Sequence, residues 1–228
     1  MTRYDFTTQP NRLNQNTMKW HEAESDPELL ELWVADMDFL PVPEIRDAVI
    51  NYAETHIFGY PYPSDELYQS IIDWEKNQHG YSVDKASIVL IEGVVPAIST
   101  AIQSFTKEDD AVLINTPVYP SFARSVRLNN RKLIENSLVK VNGHFEIDFE
   151  QLERDIVYND VKLYVFCSPH NPGGRVWTKE ELTMVADLCQ KHGVLLVSDE
   201  IHQDLALYGN KHISLNTISN AYKDFTLV

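Results

Sequence analysis

The chain has 228 residues, 43% of them hydrophobic, which predicts one large packed domain rather than a disordered chain. Its 34 acidic residues outnumber 19 basic ones, and the net charge of -15 would repel nucleic acid and an anionic membrane surface. The N-terminus is polar, and no apolar run reaches the roughly 18 residues that cross a bilayer. Cys167 and Cys189 lack C-x-x-C spacing and favour a reducing compartment. We therefore expect a cytoplasmic protein without nucleic-acid or membrane partners.

The N-terminal part of the sequence changes character near Pro43. Residues 1 to about 30 are polar and lack helical or strand periodicity, so they are interpreted as an arm. From Pro43 onward helical spacing predicts a first helix, with an apolar face formed by Ile45, Ala48, Val49 and Tyr52. A second helix is predicted to begin at a cap on Ser64 or Asp65 and to end at Gly80.

The rest of the chain alternates short apolar runs with amphipathic stretches. The runs are rich in Val, Ile and Leu, which predicts strands buried in a parallel sheet at residues 88–91, 111–114, 163–167 and 194–197. The clearest helix begins at Thr178, which forms a capping box with Glu181, and ends at Gly193. The predicted fold class is a doubly wound α/β sheet, and no linker or repeat divides residues 45–228.

Ligands bind beyond the carboxyl ends of strands in open α/β sheets, so the residues after each apolar run are the first candidates. After the first run, Gly93 permits a tight turn, and a helix starting near Val95 offers free N–H groups for a phosphate. This segment alone favours an ordinary strand-to-helix turn. After the second run, Tyr119 could stack on a planar ring, although a tyrosine in a loop more often only lines a wall.

Two further junctions carry an amide and a carboxylate. Asn171 lies among two prolines and two glycines, where it could donate to a ligand or bond its own backbone, and the spacing does not separate these alternatives. Asp199 ends an apolar strand, where a buried carboxylate needs a cation. The P-loop motif is absent, which rejects a magnesium-nucleotide site, and the absence of G-x-G-x-x-G makes a dinucleotide site weaker still than a zinc site. Zinc held by Asp199, His202 and His170 is conceivable but lacks a supporting motif, so we expect no metal.

The four junctions, taken in order, resemble the cofactor site of fold-type I pyridoxal 5′-phosphate (PLP) enzymes, the class I/II aminotransferase superfamily. The resemblance rests on Gly93-Val94-Val95, Tyr119, Ser168-Pro-His-Asn171-Pro-Gly-Gly and Ser198-Asp199-Glu-Ile-His202. The MalY/PatB subgroup of cystathionine β-lyases and C–S lyases is similar in Trp33-Val-Ala-Asp36-Met-Asp38-Phe, Phe58-Gly-Tyr60 and Gly-Val-Val-Pro-Ala. The resemblance implies an aspartate-aminotransferase fold with a mainly parallel but incomplete PLP-binding large domain at residues 45–228. Residues 1–44 would form an N-terminal arm and a small-domain segment, and the C-terminal small domain would be missing.

The resemblance implies a cofactor-binding role for each of the junction residues. Asp199 would pair with the protonated pyridine nitrogen of PLP, Asn171 would donate to the ring oxygen, and Tyr119 would stack on the ring. The phosphate would be held by the backbone N–H groups of Gly93, Val94 and Val95.

Other roles implied by the resemblance concern the surroundings of the cofactor. His202 would support the ring, although a structural histidine is about as well supported. Tyr60 would reach the phosphate of a neighbouring subunit, which implies a homodimer with shared active sites. Trp33 and Asp36 would line the entrance for a small amino-acid substrate. The segment from Asp36 to Asp38 could equally be a polar turn that fixes the arm.

For the intact protein, the resemblance implies a PLP-dependent C–S β-lyase. Such an enzyme removes the Cα proton of L-cystathionine or a cysteine-type substrate and releases a thiol, pyruvate and ammonia. A PLP-dependent aminotransferase is the alternative, because both reactions begin with the same carbanion, and a noncatalytic regulatory protein is an alternative of another class. The Schiff-base lysine is expected within about ten residues after Val228, so this chain alone is expected to be inactive. Lys223 precedes the last predicted strand and is not a substitute.

Overall fold

The computed structural model describes residues 4–26 and 28–228, and the chain divides into two compact units. The first unit ends at Tyr62, and the second spans Pro63–Val228. Before residue 43, the described residues contain a single 3₁₀ turn, Glu22–Glu24, and neither an α-helix nor a strand, in agreement with an arm. The predicted domain division between residues 44 and 45 stays a prediction.

Helix α1 spans Pro43–Thr55 and confirms the first predicted helix. Proline suits this first-turn position because its missing N–H would have no intrahelical acceptor there. No residue of α1 is buried, and Ile45 and Val49 on its apolar face are 61% and 64% exposed. The helical period is therefore correct, while the apolar face remains uncovered within the described residues.

The second unit is built on a parallel sheet. Its strands are β1 (Ala111–Thr116), β2 (Lys132–Ser137), β5 (Val161–Cys167), β6 (Leu195–Asp199) and β7 (Thr226–Leu227). They lie in the order β2-β1-β5-β6-β7, with parallel pairing throughout. A separate antiparallel hairpin consists of β3 (Val139–Val141) and β4 (His144–Glu146). The predicted strands at residues 111–114, 163–167 and 194–197 are confirmed.

Helices cover both faces of this sheet. The covering helices are α3 (Val94–Phe105), α4 (Ser121–Leu128), α5 (Phe149–Tyr158) and α6 (Lys179–His192), whereas the other helix of this unit, α2 (Asp65–Trp74), has no buried residue. Apolar residues of α3 and α4 pack on the face that carries Val112 and Val197, and those of α5 and α6 pack on the face that carries Leu113 and Tyr164. Burial on both faces explains the continuous apolar runs of the strands and confirms the α/β fold class.

The predicted helix ends are present. Ser64 accepts a backbone N–H in the first turn of α2, and Thr178 and Glu181 form the predicted capping box at the start of α6. Helix α2 continues as a π-helical turn, Glu75–His79, which ends at Gly80 in the left-handed conformation, and Gly193 ends α6 in the same way. Local sequence therefore determines where these helices begin and end.

The strand predicted at residues 88–91 is wrong. These residues have no strand pairing among the described residues, and Val89 is 84% exposed. Strand propensity reflects how well a side chain fits a paired, half-buried surface, and here no neighbouring strand supplies that surface.

Candidate active site

The carboxyl ends of β5 and β6 bring together residues that the sequence analysis singled out. Cys167 and Asp199 lie opposite each other in the parallel register, and the Ser168 N–H donates to the Asp199 carbonyl at 2.9 Å. The loop after β1 joins this edge, because the Tyr119 N–H donates to the Asn171 carbonyl at 3.1 Å. Three predicted site residues, Tyr119, Asn171 and Asp199, therefore come from adjoining strand ends, where open α/β sheets bind ligands.

The loop after β5 holds Asn171 by its backbone. Its N–H donates to the Cys167 sulfur at 3.3 Å, and the Cys167 thiol donates to the Pro169 carbonyl at 3.3 Å. The peptide bonds that precede Pro169 and Pro172 are cis. Within the described ranges, no hydrogen bond involves the side-chain amide of Asn171. The Asn171 side chain thus does not bond its own backbone, and its amide is free to donate to a ligand.

His170 links the same loop to the loop after β1. Its Nε2 pairs with the Pro117 carbonyl at 2.9 Å, and its ring packs edge-on against Trp177 at 5.5 Å. A Cβ on Gly173 would lie 2.6 Å from the ring of His170, so only glycine allows this approach of the backbone. Burial lowers the pKa of His170, which favours a neutral structural histidine. Among the described residues, no group of three or more His, Cys, Asp and Glu could hold a metal ion.

The Asp199 carboxylate is half-buried and poorly satisfied. It accepts the Ile201 N–H at 3.1 Å, and no ion pair to Lys, Arg or His involves it in the described part of the chain. Burial raises the pKa of Asp199, the hydrogen bond from Ile201 and the charge of His202 oppose this effect, and the Glu200 carboxylate adds to it. A carboxylate in this state would be stabilised by a cationic partner.

The N-terminus of α3 offers a site for an anion. Gly93 precedes it with φ 144° and ψ 168°, a conformation that other residues adopt only with strain. No side chain caps this end, Pro96 has no N–H, and the N–H groups of Val94 and Val95 lack intrahelical acceptors. The helix dipole makes this end positive. Helix α3 packs on the face that carries Val197, and strand alternation projects Asp199 from the same face.

Tyr119 and His202 are the remaining predicted residues of the second unit. The Tyr119 ring is partly exposed and contacts Phe122 edge-on, with ring centroids 6.2 Å apart. His202 and Asn171 line one open cavity of about 370 Å³, together with Asn210 and apolar residues of the segment that follows β6. The cavity brings these two predicted residues to one surface.

The other predicted residues lie in the first unit. Tyr60 is fully exposed and Trp33 largely so. The Asp36 carboxylate pairs with Arg12 at 2.6 Å. Asp38 accepts three hydrogen bonds, from Arg12, Lys19 and Trp20. These contacts fix the arm, as the polar-turn alternative proposes, and a substrate role for Trp33 or Asp36 stays a prediction.

Two side chains beside the site were not predicted. Cys167 holds the Asn171 N–H, and burial raises the pKa of its thiol to about 12, so this thiol stays neutral. Glu200 is buried and pairs with His212 at 2.8 Å. A charged residue directly after an apolar strand is a sequence signal that could have identified Glu200. No comparable signal exists for Cys167, because its contacts depend on the shape of the loop.

The fold and these strand-end residues define a family. Residues 27–227 match the aminotransferase class I and II family, and the chain belongs to it. Among curated proteins it is similar to cystathionine beta-lyase PatB of Bacillus subtilis (strain 168), with 38% identity over 226 residues, 98% of this chain and 58% of PatB. It is also similar to protein MalY of Escherichia coli (strain K12), with 33% identity over 193 residues, 84% of this chain and 50% of MalY.

Solved structures agree with this assignment. Cystalysin from Treponema denticola, whose structure contains PLP, superposes with a TM-score of 0.92 at 38% identity, covering 98% of this chain and 58% of cystalysin. The PLP-bound C–S lyase from Staphylococcus hominis has a TM-score of 0.88 at 30% identity, covering 95% and 56%. The chain thus spans little more than half the length of these relatives. In the described residues no helix is long and apolar enough to cross a membrane.

Proposed function

We propose that the intact protein is a PLP-dependent C–S β-lyase that converts L-cystathionine or a cysteine-type substrate to a thiol, pyruvate and ammonia. The observation that carries the proposal is the Asp199 carboxylate, which is half-buried and accepts one N–H without forming an ion pair among the described residues. The protonated ring nitrogen of PLP would supply the missing cation. Similarity to proteins named cystathionine beta-lyase and C–S lyase favours the lyase over an aminotransferase.

The donors and acceptors on this face of the sheet fit PLP. The open N-terminus of α3 would hold the phosphate, and Gly93 permits the close backbone approach that this requires. Asn171 has a free amide for the ring oxygen, and Tyr119 has a partly exposed ring for the cofactor face. Asp199 provides the carboxylate for the ring nitrogen. These residues would therefore provide a partner for each part of PLP: its anionic phosphate, its cationic ring nitrogen, its acceptor oxygen and its planar ring.

Bound PLP supplies an electron sink for the carbanion formed at the substrate Cα. Asp199 holds a proton at the ring nitrogen, because a carboxylate in a partly dry site stabilises the cation that it contacts. His202 favours the ionised form of this carboxylate, since its charge lowers the pKa of Asp199. The N–H groups of Val94 and Val95 would orient the phosphate, and the Tyr119 ring would exclude water from one side of the site.

The experiment that tests the function is an assay of pyruvate and homocysteine released from L-cystathionine. It uses protein expressed from the complete reading frame that contains this sequence, with PLP, and Asp199→Asn as the matched control. Equal amounts of both products support the lyase. Accumulation of pyridoxamine phosphate without pyruvate would favour the aminotransferase, and no reaction would favour a noncatalytic protein. Residues 1–228 alone are expected to release no pyruvate, because the lysine is expected after Val228.

We also propose that the protein is a cytoplasmic homodimer in which Tyr60 completes the phosphate site of the neighbouring subunit. Phe58 and Tyr60 are largely exposed, as residues of a contact surface would be in a single chain. Cys167 and Cys189 are buried and unpaired, in keeping with a reducing compartment. Mixed refolding of Tyr60→Ala with Asp199→Asn tests shared sites, because hybrid dimers would regain one intact site. No recovery of activity in a confirmed hybrid dimer would contradict the shared sites.

A further inference from the structure

Glu200 follows Asp199 directly, yet its carboxylate is buried. Glu200 is 6% exposed and His212 is 9% exposed. The Glu200 Oε2 atom lies 2.8 Å from His212 Nε2. Its Oε1 atom accepts the Ser198 hydroxyl at 2.9 Å and the Leu215 N–H at 3.0 Å. Three donors thus converge on one buried carboxylate.

Such a cluster is stable only when it is complete. Hydrogen bonds to a buried charged group are stronger than those between neutral groups, and removing one partner leaves a polar group that water does not reach. Ser198 belongs to β6. His212 and Leu215 lie further along the connection from β6 to β7, in a returning segment that spans residues 212–215. Glu200 therefore fastens this returning segment to the end of β6.

The fastened turn also determines the surroundings of Asp199. The Gln203 N–H donates to the Glu200 carbonyl at 2.8 Å, which closes the turn that follows β6. Within this turn, the Ile201 N–H donates to the Asp199 carboxylate at 3.1 Å. Asp199, the last residue of β6, lies on the face of Val197, whereas the Glu200 carboxylate bonds Ser198, which strand alternation directs to the opposite face. Anchoring Glu200 on one side therefore holds Asp199 on the other.

We propose that Glu200, held by His212, is a positioning residue that fixes the Asp199 carboxylate for contact with the ring nitrogen of the cofactor. The proposal rests on the proposed PLP-dependent function. Glu200 itself touches no reacting atom, because its side chain lies among Ser198, His212 and Leu215. Its effect is transmitted along the backbone, from the anchored Glu200 to the neighbouring Ile201 N–H that bonds Asp199.

The test follows the ring nitrogen directly, by ¹⁵N NMR of the intact holoenzyme loaded with PLP labelled at that atom. In the unmodified protein the nitrogen is expected to give the signal of a protonated ring, and Asp199→Asn is expected to abolish it. Glu200→Gln is expected to move the signal part of the way toward the unprotonated ring. Its kcat is expected to fall roughly tenfold, in the range of residues that orient a catalytic group, with KM changed less than about twofold.

Glu153→Gln is the matched control. Glu153 Oε1 also lies 2.8 Å from a histidine Nε2, that of His192, but this pair joins α5 to α6. Loss of this carboxylate is expected to leave the nitrogen signal and kcat unchanged. This control shows whether loss of a carboxylate–histidine pair away from the end of β6 changes the nitrogen signal.

If Glu200→Gln does not fold, a second pair of variants tests the positioning role of Glu200. His212→Gln retains an N–H donor toward Glu200 and is expected to keep the signal of the unmodified protein, whereas His212→Leu is expected to shift it. The positioning role is overturned if Glu200→Gln keeps the signal of the protonated nitrogen while Asp199→Asn loses it. His212→Leu serves for the same comparison if Glu200→Gln does not fold. If the ring nitrogen is already unprotonated in the unmodified holoenzyme, the proposed function is overturned as well. This result distinguishes failure of the proposed function from failure of the positioning role alone.

Discussion

Asp38 in the first unit and Asp199 in the second are carboxylates in opposite states. Asp38 accepts hydrogen bonds from Arg12 at 2.7 Å, Lys19 at 2.8 Å and Trp20 at 3.1 Å. The bonds from Lys19 and Arg12 lower the pKa of Asp38 to about 2. Asp199 accepts one N–H, and burial raises its pKa. Asp38 has its bonding capacity filled by the protein, whereas Asp199 has capacity left for a ligand.

The contrast shows that a charged residue indicates a ligand site when the protein leaves some of its hydrogen-bonding capacity unused. A saturated carboxylate stabilises the segments that supply its donors, in this case the arm that carries Arg12 and Lys19. A desolvated carboxylate with few donors is energetically unfavourable until a partner binds. Variants on each side of this comparison should therefore affect different properties.

The largest effect is expected for Asp199→Asn. Loss of the charge-assisted bond to the ring nitrogen should lower kcat/KM by roughly a hundredfold to a thousandfold, the range seen when one preorganised electrostatic contact is removed. The melting temperature of the apoprotein should not fall, because the substitution removes a poorly solvated charge. Pyruvate release and thermal melting measure the two effects. Activity within tenfold of the unmodified protein would contradict the role of Asp199.

Asn171→Ala should lower kcat/KM roughly tenfold and change how the visible absorption of bound PLP depends on pH, because a donor to the ring oxygen is lost. The matched control is Asn210→Ala. Asn210 lines the same cavity, but its amide already donates to the Leu207 carbonyl at 2.8 Å. An unchanged absorption profile in Asn171→Ala, or equal changes in both variants, would contradict the assignment.

Gly93→Ala should weaken PLP binding about tenfold, because a residue other than glycine at φ 144° is strained by about 1–3 kcal/mol and relief of this strain would turn the N–H groups at the start of α3 away from the phosphate. Strain rather than collision is the cause, because the nearest atom to the added Cβ would be Pro96 Cδ at 3.9 Å. Gly80→Ala is the control, with φ 69° and open space around it but no part in the site. Equilibrium titration of each apoprotein with PLP measures the difference. Equal affinities of the two variants would contradict a phosphate site at α3.

The smallest effect concerns the Asp38 cluster and should appear in stability alone. The folded pKa, about 2, lies below the ordinary value of 3.8, so the stabilisation from ionised Asp38 is present above pH 4 and lost as the pH falls toward 2. Denaturation at several pH values should show an advantage over Asp38→Asn at pH 5 that fades in this window. The exposed Asp73 is the control, and Asp73→Asn should show little difference. An advantage that persists at pH 2 would contradict this linkage.

Much of the second unit follows from local sequence. Val161–Cys167 is a largely apolar run and forms a strand buried on both faces, and α6 begins at the Thr178 cap and ends at Gly193, as their chemistry predicts. Residues 88–91 have a similar composition but form no strand. The difference is physical: caps and turns act within a few residues, whereas a strand needs hydrogen bonds from another segment.

The sequence by itself determined the α/β class, the helix ends and the order of polar residues at strand ends, because periodicity, capping and turn chemistry are local properties. Tertiary structure decided that Asp199 is undersatisfied while its neighbour Glu200 is saturated by His212, Ser198 and the Leu215 N–H. Adjacent carboxylates have the same intrinsic chemistry. Only the segments folded around each one decide which is desolvated, which is filled and which remains open to a ligand.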